Sequence, residues 1–272
     1  MLKQDQIYLI ALDMDGTLLN SNHEICPETK KYLKHLSSLG HKIIISSGRP
    51  IRGILKYYSE LELTTPAICY NGSYIYPGEE NDFPEYCFSF PKEKILQIIS
   101  DIGYDKLDNV ILETNKDIYF LHEDESLDVF FTKNGMNVHL GKIEDNLDED
   151  TMTMLLKIKD TKDNSTIQSA IDKHPNIKLR FWSGKWYHIS EIYFDSINKG
   201  KALEKIADYY HINQDHIIAF GDATNDIELL SFAGIGIAMK NSEDELIEYA
   251  DIISEEDNNN DGIKVELEKI IK

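Results

Sequence analysis

The sequence predicts an α/β protein in which a doubly wound parallel sheet is interrupted by an inserted α+β domain. Toward both ends of the chain, short apolar runs alternate with amphipathic helical stretches, the pattern of a parallel sheet built from strand-helix-strand units. Between them, after a polar segment with glycine and proline, that alternation becomes irregular. Acids, hydroxyls or glycines follow several predicted strands, which is where open α/β sheets bind ligands.

The first strand is predicted at Tyr8 to Leu12, a run of five uncharged apolar residues that is too short for a helix. Asp13 and Asp15 follow at its carboxyl end, before Gly16 begins a turn. Paired carboxylates can hold a hard divalent cation, and Asp13 can also attack phosphorus as a nucleophile. Alone, the same residues are also compatible with a strand-end turn that aspartate caps.

Two helices and two further strands complete the first alternating region. Pro27 to Leu39 has proline at a first helical position, and His41 to Ser47 follows as a second buried strand. A further helical stretch reaches Tyr58, and Ala67 to Tyr76 supplies a third strand and the turn that begins a hairpin. The alternation of a parallel sheet is therefore established in this part of the chain.

Residues 77–84 are polar and contain one glycine and two prolines, which predicts a linker. Beyond it we predict strands at residues 86–90, 109–114, 118–122, 152–159, 177–182 and 186–192, with helices at 91–102, 125–134 and 164–174. Antiparallel pairs with helices on one side are typical of an α+β domain. We therefore place the inserted domain at residues 83–189, within a core of residues 1–82 and 190–272.

The first pattern resumes in the last third of the chain. We predict helices at residues 199–210, 226–232 and 243–249 and strands at 216–220, 234–238 and 251–254. Glu255 to Asp261 is polar and asparagine-rich, which predicts a loop, and Asp261 is expected to cap the last helix.

Three further positions repeat the chemistry of the first strand end. Ser47 to Arg49 offers a hydroxyl beside a glycine amide, which suits a bound phosphate or an ordinary helix entry. Asp222 to Asp226 has two acids and an amide, which suit magnesium or a capping turn. Lys199 begins a helix, where the helix dipole disfavours a cation unless an anion binds beside it. The alternative is an ordinary exposed lysine that is solvated.

Composition excludes several classes of function. The formal net charge of −20 repels nucleic acid and anionic membranes, and no basic patch opposes it. No apolar run approaches the roughly 20 residues of a membrane helix, and no secretory signal is evident. Cys26, Cys69 and Cys87 have no metal-binding spacing. We expect a cytoplasmic monomer or weak homodimer whose partner is a small anionic molecule, with no nucleic acid and no membrane.

Four motifs occur in order along the chain. They are Asp13-Met14-Asp15-Gly16-Thr17, Ser47-Gly48-Arg49-Pro50, Lys199-Gly200, and Gly221-Asp222 with Asn225-Asp226. Together with Tyr70-Asn71-Gly72 and Glu191-Ile192, they resemble the haloacid dehalogenase superfamily of aspartate-nucleophile phosphatases, specifically its Cof-type branch, subclass IIB with a C2 cap. The resemblance spans nearly the whole chain and implies a Rossmann-like core in which the inserted domain is the cap.

The resemblance implies a magnesium-dependent phosphatase that acts through an aspartyl-phosphate. Asp13 is then the nucleophile, while Asp15 protonates the leaving alcohol and later activates water. Magnesium is held by Asp13, the backbone carbonyl of Asp15, and Asp222. The implied phosphate-binding residues are Met14, Ser47, Gly48, Lys199 and Asn225, and the further candidates are Asp226 beside the metal ligands, Asn71, Arg49 and Arg180.

The resemblance also implies that the cap decides the substrate, because the core site recognises little beyond phosphate. A group of residues on the last two predicted strands of the inserted domain could contact a sugar or an aromatic ring: Arg180, Trp182, Lys185, Trp186 and His188. For the two tryptophans, packing in the core is the alternative.

The implied substrate is a small phosphorylated metabolite, with sugar phosphates favoured and pyridoxal phosphate and flavin mononucleotide also compatible. One alternative is a phosphomannomutase-like phosphotransferase that returns the phosphate to a sugar. Another is a non-catalytic phospho-acceptor or binding module, similar to a receiver domain. Such a module lacks the second acid that turns over an aspartyl-phosphate, and Asp15 is that acid here.

Overall fold

The computed structural model describes residues 6–79, 82–127, 133, 135–182 and 186–271. The chain divides into two compact units, one of residues 1–86 with 198–272 and one of residues 87–197. The sequence prediction places the boundaries after residues 82 and 189. The strand Ile189–Phe194 begins at the second of these positions and pairs on both sides with strands of the second unit, so it belongs to that unit.

Fourteen strands and nine α-helices lie within the described residues. The strands are β1 (Leu9–Asp13), β2 (Lys42–Ser46), β3 (Ala67–Cys69), β4 (Tyr74–Tyr76), β5 (Tyr86–Cys87), β6 (Leu107–Glu113), β7 (Asp117–Phe120), β8 (Asn137–Leu140), β9 (Thr153–Ile158), β10 (Ile177–Phe181), β11 (Ile189–Phe194), β12 (Ile217–Gly221), β13 (Ile235–Ala238) and β14 (Ile252–Ile253). The α-helices are α1 (Pro27–Ser38), α2 (Ile51–Glu60), α3 (Lys92–Ile102), α4 (Ile143–Asn146), α5 (Asn164–Ile171), α6 (Lys199–Tyr210), α7 (Ile227–Phe232), α8 (Asp244–Ile247) and α9 (Gly262–Ile270). In the part of the chain that the structure covers, no helix is both long and apolar enough to span a bilayer.

An eight-stranded sheet, which belongs to the first unit except for Cys87 at the end of β5, has the order β14-β13-β12-β1-β2-β3-β4-β5. All neighbours from β14 to β3 pair in parallel, and β4 returns antiparallel to β3. Parallel pairing explains the long connections between successive strands, which contain the helices. The predicted α/β class with a parallel-sheet core is confirmed.

Burial on both faces explains why β1 is an uninterrupted apolar run. Leu9 and Ala11 pack in one cluster with Leu203 of α6, and Ile10 and Leu12 point to the opposite face because side chains alternate along a strand. All four strand residues are completely buried. Burying a leucine or isoleucine contributes about 1.5–3 kcal/mol, so β1 is a firmly anchored support for the aspartate at its end.

The second unit contains a six-stranded sheet in the order β10-β11-β9-β6-β7-β8, which is antiparallel except between β7 and β8. On one face the isoleucines of α3 and α5 pack with Val110 and Leu112 of β6. On the other face Trp182 and Trp186 pack against a cluster that includes Ile111. The tryptophans therefore contribute to packing, which the sequence analysis gave as the alternative to a substrate contact.

Two local predictions differ from the structure. Of the helix predicted at residues 125–134, the described residues show one 3₁₀ turn, Glu125–Leu127; residues 128–132 and 134 lie outside the described part, as does Lys185. Asp261 lies at the N-cap position of the last helix, as predicted, but its side chain makes no capping hydrogen bond there. Its carboxylate accepts hydrogen bonds from Thr29 N at 2.9 Å and Thr29 Oγ1 at 2.8 Å in α1. The left-handed backbone of Asp261 (φ 57°) differs from the extended conformation of a usual N-cap.

Candidate active site

The carboxyl ends of β1, β2 and β12 bring three of the predicted motifs to one edge of the sheet. In the parallel register, Asp13 lies opposite Ser46, and Leu12 lies opposite Phe220. Ser47 and Asp222, which follow β2 and β12, therefore leave the sheet on either side of Asp13. This edge is where an open α/β sheet binds ligands.

Lys199 is the centre of a buried ion cluster. Its Nζ lies 2.5 Å from Asp13 Oδ1 and 2.6 Å from Asp226 Oδ1, and its side chain is completely buried. Burial lowers the pKa of a lysine, but the two carboxylates outweigh it and the pKa of Lys199 lies above its ordinary value. Asn198 starts α6 at this position because its side chain accepts from Lys201 N at 2.8 Å.

Asp222 joins the cluster from the loop after β12. Asp226 Oδ2 accepts from the amides of Asp222 at 3.1 Å and Ala223 at 3.3 Å, which fixes the loop. Thr17 Oγ1 donates to Asp222 Oδ1 at 2.9 Å. One carboxylate oxygen each from Asp13, Asp222 and Asp226 lies within 4.8 Å of the other two. The first and fourth motifs thus meet in one acidic cluster.

Burial and neighbouring charge disfavour ionisation of two members of this cluster, Asp13 and Asp222. Burial and the charge of Asp226 raise the pKa of Asp13 to about 7, and burial and the charge of Asp13 raise the pKa of Asp222 well above its ordinary value. Three carboxylates face a single lysine, so a hard divalent cation that prefers carboxylate oxygens suits the excess negative charge. Asp13 and Asp222 are the fitting ligands, because both oxygens of Asp226 accept hydrogen bonds from Lys199 and backbone amides.

The second motif supplies a hydroxyl and an arginine. Ser47 is buried, and its Oγ accepts from Arg49 N at 3.1 Å, which leaves the hydroxyl hydrogen able to donate elsewhere. The Arg49 guanidinium holds both carboxylate oxygens of Asp15, with Nε to Oδ2 at 2.7 Å and Nη2 to Oδ1 at 2.5 Å. Asp15 is 43% exposed, so its carboxylate is accessible while the arginine fixes its direction.

Asn71 forms hydrogen bonds to both the second and the fourth motif. Its Oδ1 accepts from Asn225 Nδ2 at 3.1 Å, and its backbone N donates to Ser47 O at 3.0 Å. A Cβ on Gly48 would lie 3.1 Å from Asn71 Oδ1, so the glycine allows this close approach. Tyr70 and Asn71 both have left-handed backbones, with φ of 48° and 52°. Strain of this kind in non-glycine residues is concentrated at functional sites.

The structure brings most of the predicted site residues together in the first unit. The group consists of Asp13, Asp15, Ser47, Gly48, Arg49, Asn71, Lys199, Asp222, Asn225 and Asp226. Met14 is completely buried and accepts at its backbone carbonyl from Leu19 N at 2.8 Å. Arg180 lies in the second unit, on β10, where its Nη1 is 3.4 Å from Glu191 Oε2.

Thr17 and Asn241 are contacts of the site that sequence reasoning did not assign. Thr17 binds Asp222, and Asn241 Nδ2 donates to Gly16 O at 2.8 Å. Thr17 belongs to the first motif, so its position beside Asp13 and Asp15 could have marked its hydroxyl as part of the site. Asn241 gave none, because it lies 225 residues from Gly16 in the sequence.

This edge of the sheet combines acids, a buried lysine and a hydroxyl. These are the side chains that the active site of a phosphoric monoester hydrolase contains. The chain belongs to the haloacid dehalogenase-like hydrolase family, whose model matches residues 10–267. The haloacid dehalogenase membership that the motifs predict is thereby confirmed, as is the enzyme class.

The relatives of this chain include named phosphatases. It is 38% identical over 245 residues to the 5-amino-6-(5-phospho-D-ribitylamino)uracil phosphatase YitU of Bacillus subtilis, covering 89% of this chain and 90% of the relative. It is 28% identical over 268 residues to the pyridoxal phosphate phosphatase YbhA of Escherichia coli, covering 94% and 95%.

Solved structures show the same fold. A haloacid dehalogenase-like hydrolase from Bacteroides thetaiotaomicron matches with a TM-score of 0.81 at 24% identity, covering 97% of this chain and 100% of the other. A subclass IIB sugar phosphatase of the superfamily matches with a TM-score of 0.81 at 22% identity, covering 97% and 98%.

Proposed function

We propose that this protein is a magnesium-dependent phosphatase that hydrolyses small phosphomonoesters through an aspartyl-phosphate on Asp13. The observation that carries the proposal is the position of Asp13, which is buried at the end of β1 with Lys199 Nζ at 2.5 Å. A second acid, Asp15, follows two residues later and is held by Arg49. A nucleophile and a separate acid-base group are the two functions that this reaction requires.

In the first half of the proposed reaction, a carboxylate oxygen of Asp13 attacks phosphorus. The new bond forms as the ester bond to the leaving alcohol breaks, and Asp15 gives that alcohol a proton. In the second half, Asp15 takes a proton from water, and the water oxygen attacks phosphorus. Inorganic phosphate leaves and the carboxylate of Asp13 is restored. The partly exposed position of Asp15 gives it access to water in this second half.

Positioning of the phosphoryl group is assigned to side chains and amides around Asp13. Lys199 contributes a buried positive charge, and Ser47 contributes a hydroxyl hydrogen. The backbone N–H groups of Met14 and Gly48 are further proposed donors, and Asn225, oriented by Asn71, supports the same group. Donors fixed before the reaction stabilise developing charge without reorganising.

Magnesium is assigned to Asp13, the backbone carbonyl of Asp15, and Asp222. When bound, the ion neutralises charge on the transferring phosphoryl group. Asp226 is not assigned as a ligand. Its role is to orient the Asp222 loop and to bind Lys199. The excess negative charge of the cluster supports this assignment.

The proposed substrate is a phosphate ester of a sugar or sugar alcohol, with 5-amino-6-(5-phospho-D-ribitylamino)uracil as the first candidate. The Bacillus relative is named for that compound and is 38% identical over 89% of this chain. Flavin mononucleotide has the same ribityl 5-phosphate group, and pyridoxal phosphate is in the name of the Escherichia relative.

We place the enzyme in the cytoplasm, where three cysteines without paired spacing stay reduced.

The test is phosphate release from a panel containing the ribitylaminouracil phosphate, flavin mononucleotide, pyridoxal phosphate and hexose phosphates. We expect release that depends on magnesium and is fastest with the ribitylaminouracil phosphate. Equal rates on every ester would remove the substrate assignment but keep the phosphatase. Phosphate transferred to a second sugar without net release would instead establish the phosphomannomutase-like alternative, and no turnover of any ester by folded protein would overturn the proposal.

Thr17→Val is expected to reduce phosphate release because it removes the hydroxyl that orients Asp222. A hydrogen bond to a charged group is worth about 1.5–3 kcal/mol, so we expect kcat/KM to fall roughly 10- to 100-fold. Thr17→Ser keeps the hydroxyl and is the matched control. Steady-state kinetics at several magnesium concentrations measures the effect, and equal activity of the valine and serine variants would contradict this role of Thr17.

Arg49→Lys is expected to lower kcat because a lysine cannot bind both oxygens of Asp15 in the planar, two-point geometry seen here. We expect a loss of about 10- to 100-fold, a part of the roughly 10²- to 10⁴-fold that general acid-base catalysis contributes. A double-mutant cycle with Asp15→Asn gives the measurement. If Arg49 acts through Asp15, its substitution has little further effect in the Asp15→Asn background, and additive losses would show that it acts otherwise.

A further inference from the structure

We infer that Asn241 and Asn258 are positioning residues that hold the catalytic loop, residues 13–19, in the conformation that presents Asp15. This inference rests on the proposed phosphatase function. Both residues lie near the carboxyl end of the chain, outside the four motifs. They contact the loop by hydrogen bonds to its backbone carbonyls.

The catalytic loop is a tight turn that is closed by hydrogen bonds from the amides of its second half. Leu18 N donates to Asp13 O at 3.1 Å, and Leu19 N donates to Met14 O at 2.8 Å. Gly16 has a left-handed backbone, with φ of 85°. These internal bonds use the carbonyls of Asp13 and Met14, so partners for the later carbonyls of the turn come from elsewhere in the chain.

Asn241 and Asn258 supply those partners. Asn241 Nδ2 donates to Gly16 O at 2.8 Å, and Asn258 Nδ2 donates to Leu19 O at 2.7 Å. The two asparagines are also joined, because Asn258 N donates to Asn241 Oδ1 at 3.2 Å. Asn241 Oδ1 is thus occupied by the Asn258 amide, and Asn258 Oδ1 accepts from Asn259 Nδ2 at 3.2 Å. Each side-chain nitrogen is directed at the loop, a role that needs both ends of the asparagine side chain.

Neighbouring bonds hold the rest of the segment that follows the loop. Asn259 Oδ1 accepts from Ser21 N at 2.9 Å, and the Asp261 carboxylate binds Thr29 at the start of α1. The segment from Leu19 to Thr29 is thus attached repeatedly to residues 258–261. Asp261, which sequence reasoning assigned to the last helix, belongs to this attachment.

The Gly16 contact matters because Gly16 follows the acid-base group Asp15 directly and packs against Asp222, a proposed metal ligand. A Cβ on Gly16 would lie 2.2 Å from Asp222 Oδ2, so the loop is packed closely against Asp222. If Gly16 O loses this partner, rotation about the backbone bonds of Gly16 can shift the preceding Asp15 carbonyl and side chain together. Displacement by about 1 Å can cost about 100-fold in rate, whereas one exposed hydrogen bond contributes little to folding.

The variants are Asn241→Ala, Asn241→Asp and Asn258→Ala. Aspartate at position 241 still accepts from Asn258 N but cannot donate to Gly16 O, so it separates the two bonds of Asn241. Asn260→Ala is the control, since Asn260 is an exposed asparagine of the same segment that donates to Asp257 at 2.8 Å. We expect kcat to fall about 10- to 100-fold in the three variants with KM within about 2-fold, and no change in the control.

Two measurements separate positioning from a general loss of stability. Hydrogen exchange at the amides of Leu18 and Leu19 is expected to accelerate in Asn241→Ala, with a melting temperature close to that of wild type. Magnesium binding, followed by calorimetry without substrate, is expected to weaken because the Asp15 carbonyl is a proposed ligand. Unchanged kcat in Asn241→Ala, wild-type behaviour of Asn241→Asp, or lost activity with unchanged exchange would overturn the inference.

Failure of this inference is distinguishable from failure of the proposed function. Wild-type protein without phosphatase activity on any ester would remove the proposed function. Hydrogen exchange and magnesium titration would still show whether Asn241 and Asn258 hold the loop. Active wild-type protein with unaffected variants would remove only the positioning role.

Discussion

Replacing Asp13 by asparagine is expected to abolish phosphate release while the protein stays folded. An amide is a poor nucleophile and cannot form the proposed aspartyl-phosphate, so we expect a loss of about 10⁴-fold or more, as for other covalent nucleophiles. The fold is expected to persist because Lys199 keeps its bond to Asp226 at 2.6 Å. Phosphate release and thermal unfolding of the same preparation measure the two effects.

The matched control is Asp244→Asn, which makes the same chemical change at an exposed position in α8. It is expected to have wild-type activity. Acid-quenched wild-type enzyme mixed with substrate should also contain a phosphate adduct on the peptide with Asp13, and the asparagine variant should contain none. Substantial turnover by Asp13→Asn or by Asp13→Ala would show that another group attacks phosphorus.

The core of the site was predictable because parallel strands share one edge. Once Asp13, Ser47 and Asp222 were each placed after a buried strand, the sheet geometry required them to converge. The order of the motifs then assigned the class of enzyme. Burial of β1 on both faces followed from the same apolar run. These conclusions need only local patterns and the rule for where parallel strands end.

Other contacts had no local signal. Asn241 and Gly16 are 225 residues apart, and Asn258 and Leu19 are 239 apart, so the asparagine-rich segment predicted only a loop. Asp261 precedes α9, as an N-cap does, but its left-handed backbone and the nearby Thr29 direct its carboxylate to α1. The pairing of Asp15 with Arg49 likewise depends on two loops meeting in space.

Removing magnesium is expected to abolish phosphate release and to make the stability of the protein depend on pH. Burial and the charge of Asp226 raise the pKa of Asp13 from 3.8 to about 7, so between these values the folded state keeps a proton that the unfolded chain has lost. The stability that this proton contributes is present below pH 3.8 and is lost as the pH rises through about 7. Metal-free protein should therefore melt at a lower temperature at pH 8 than at pH 5.

Adding magnesium is expected to reverse that loss, and more strongly at pH 8 than at pH 5, because protons compete with the cation for the same carboxylates. Binding at 100 times the dissociation constant adds about 2.7 kcal/mol, which corresponds to a rise of roughly 5–10 °C in melting temperature for a protein of this size. Asp222→Asn, which removes a proposed ligand, should show a smaller rise. An equal magnesium effect at both pH values would place the cation away from Asp13 and Asp222, since only a site sharing the titrating carboxylates couples metal binding to this pH range. Full activity in chelator would show that the reaction does not need the cation.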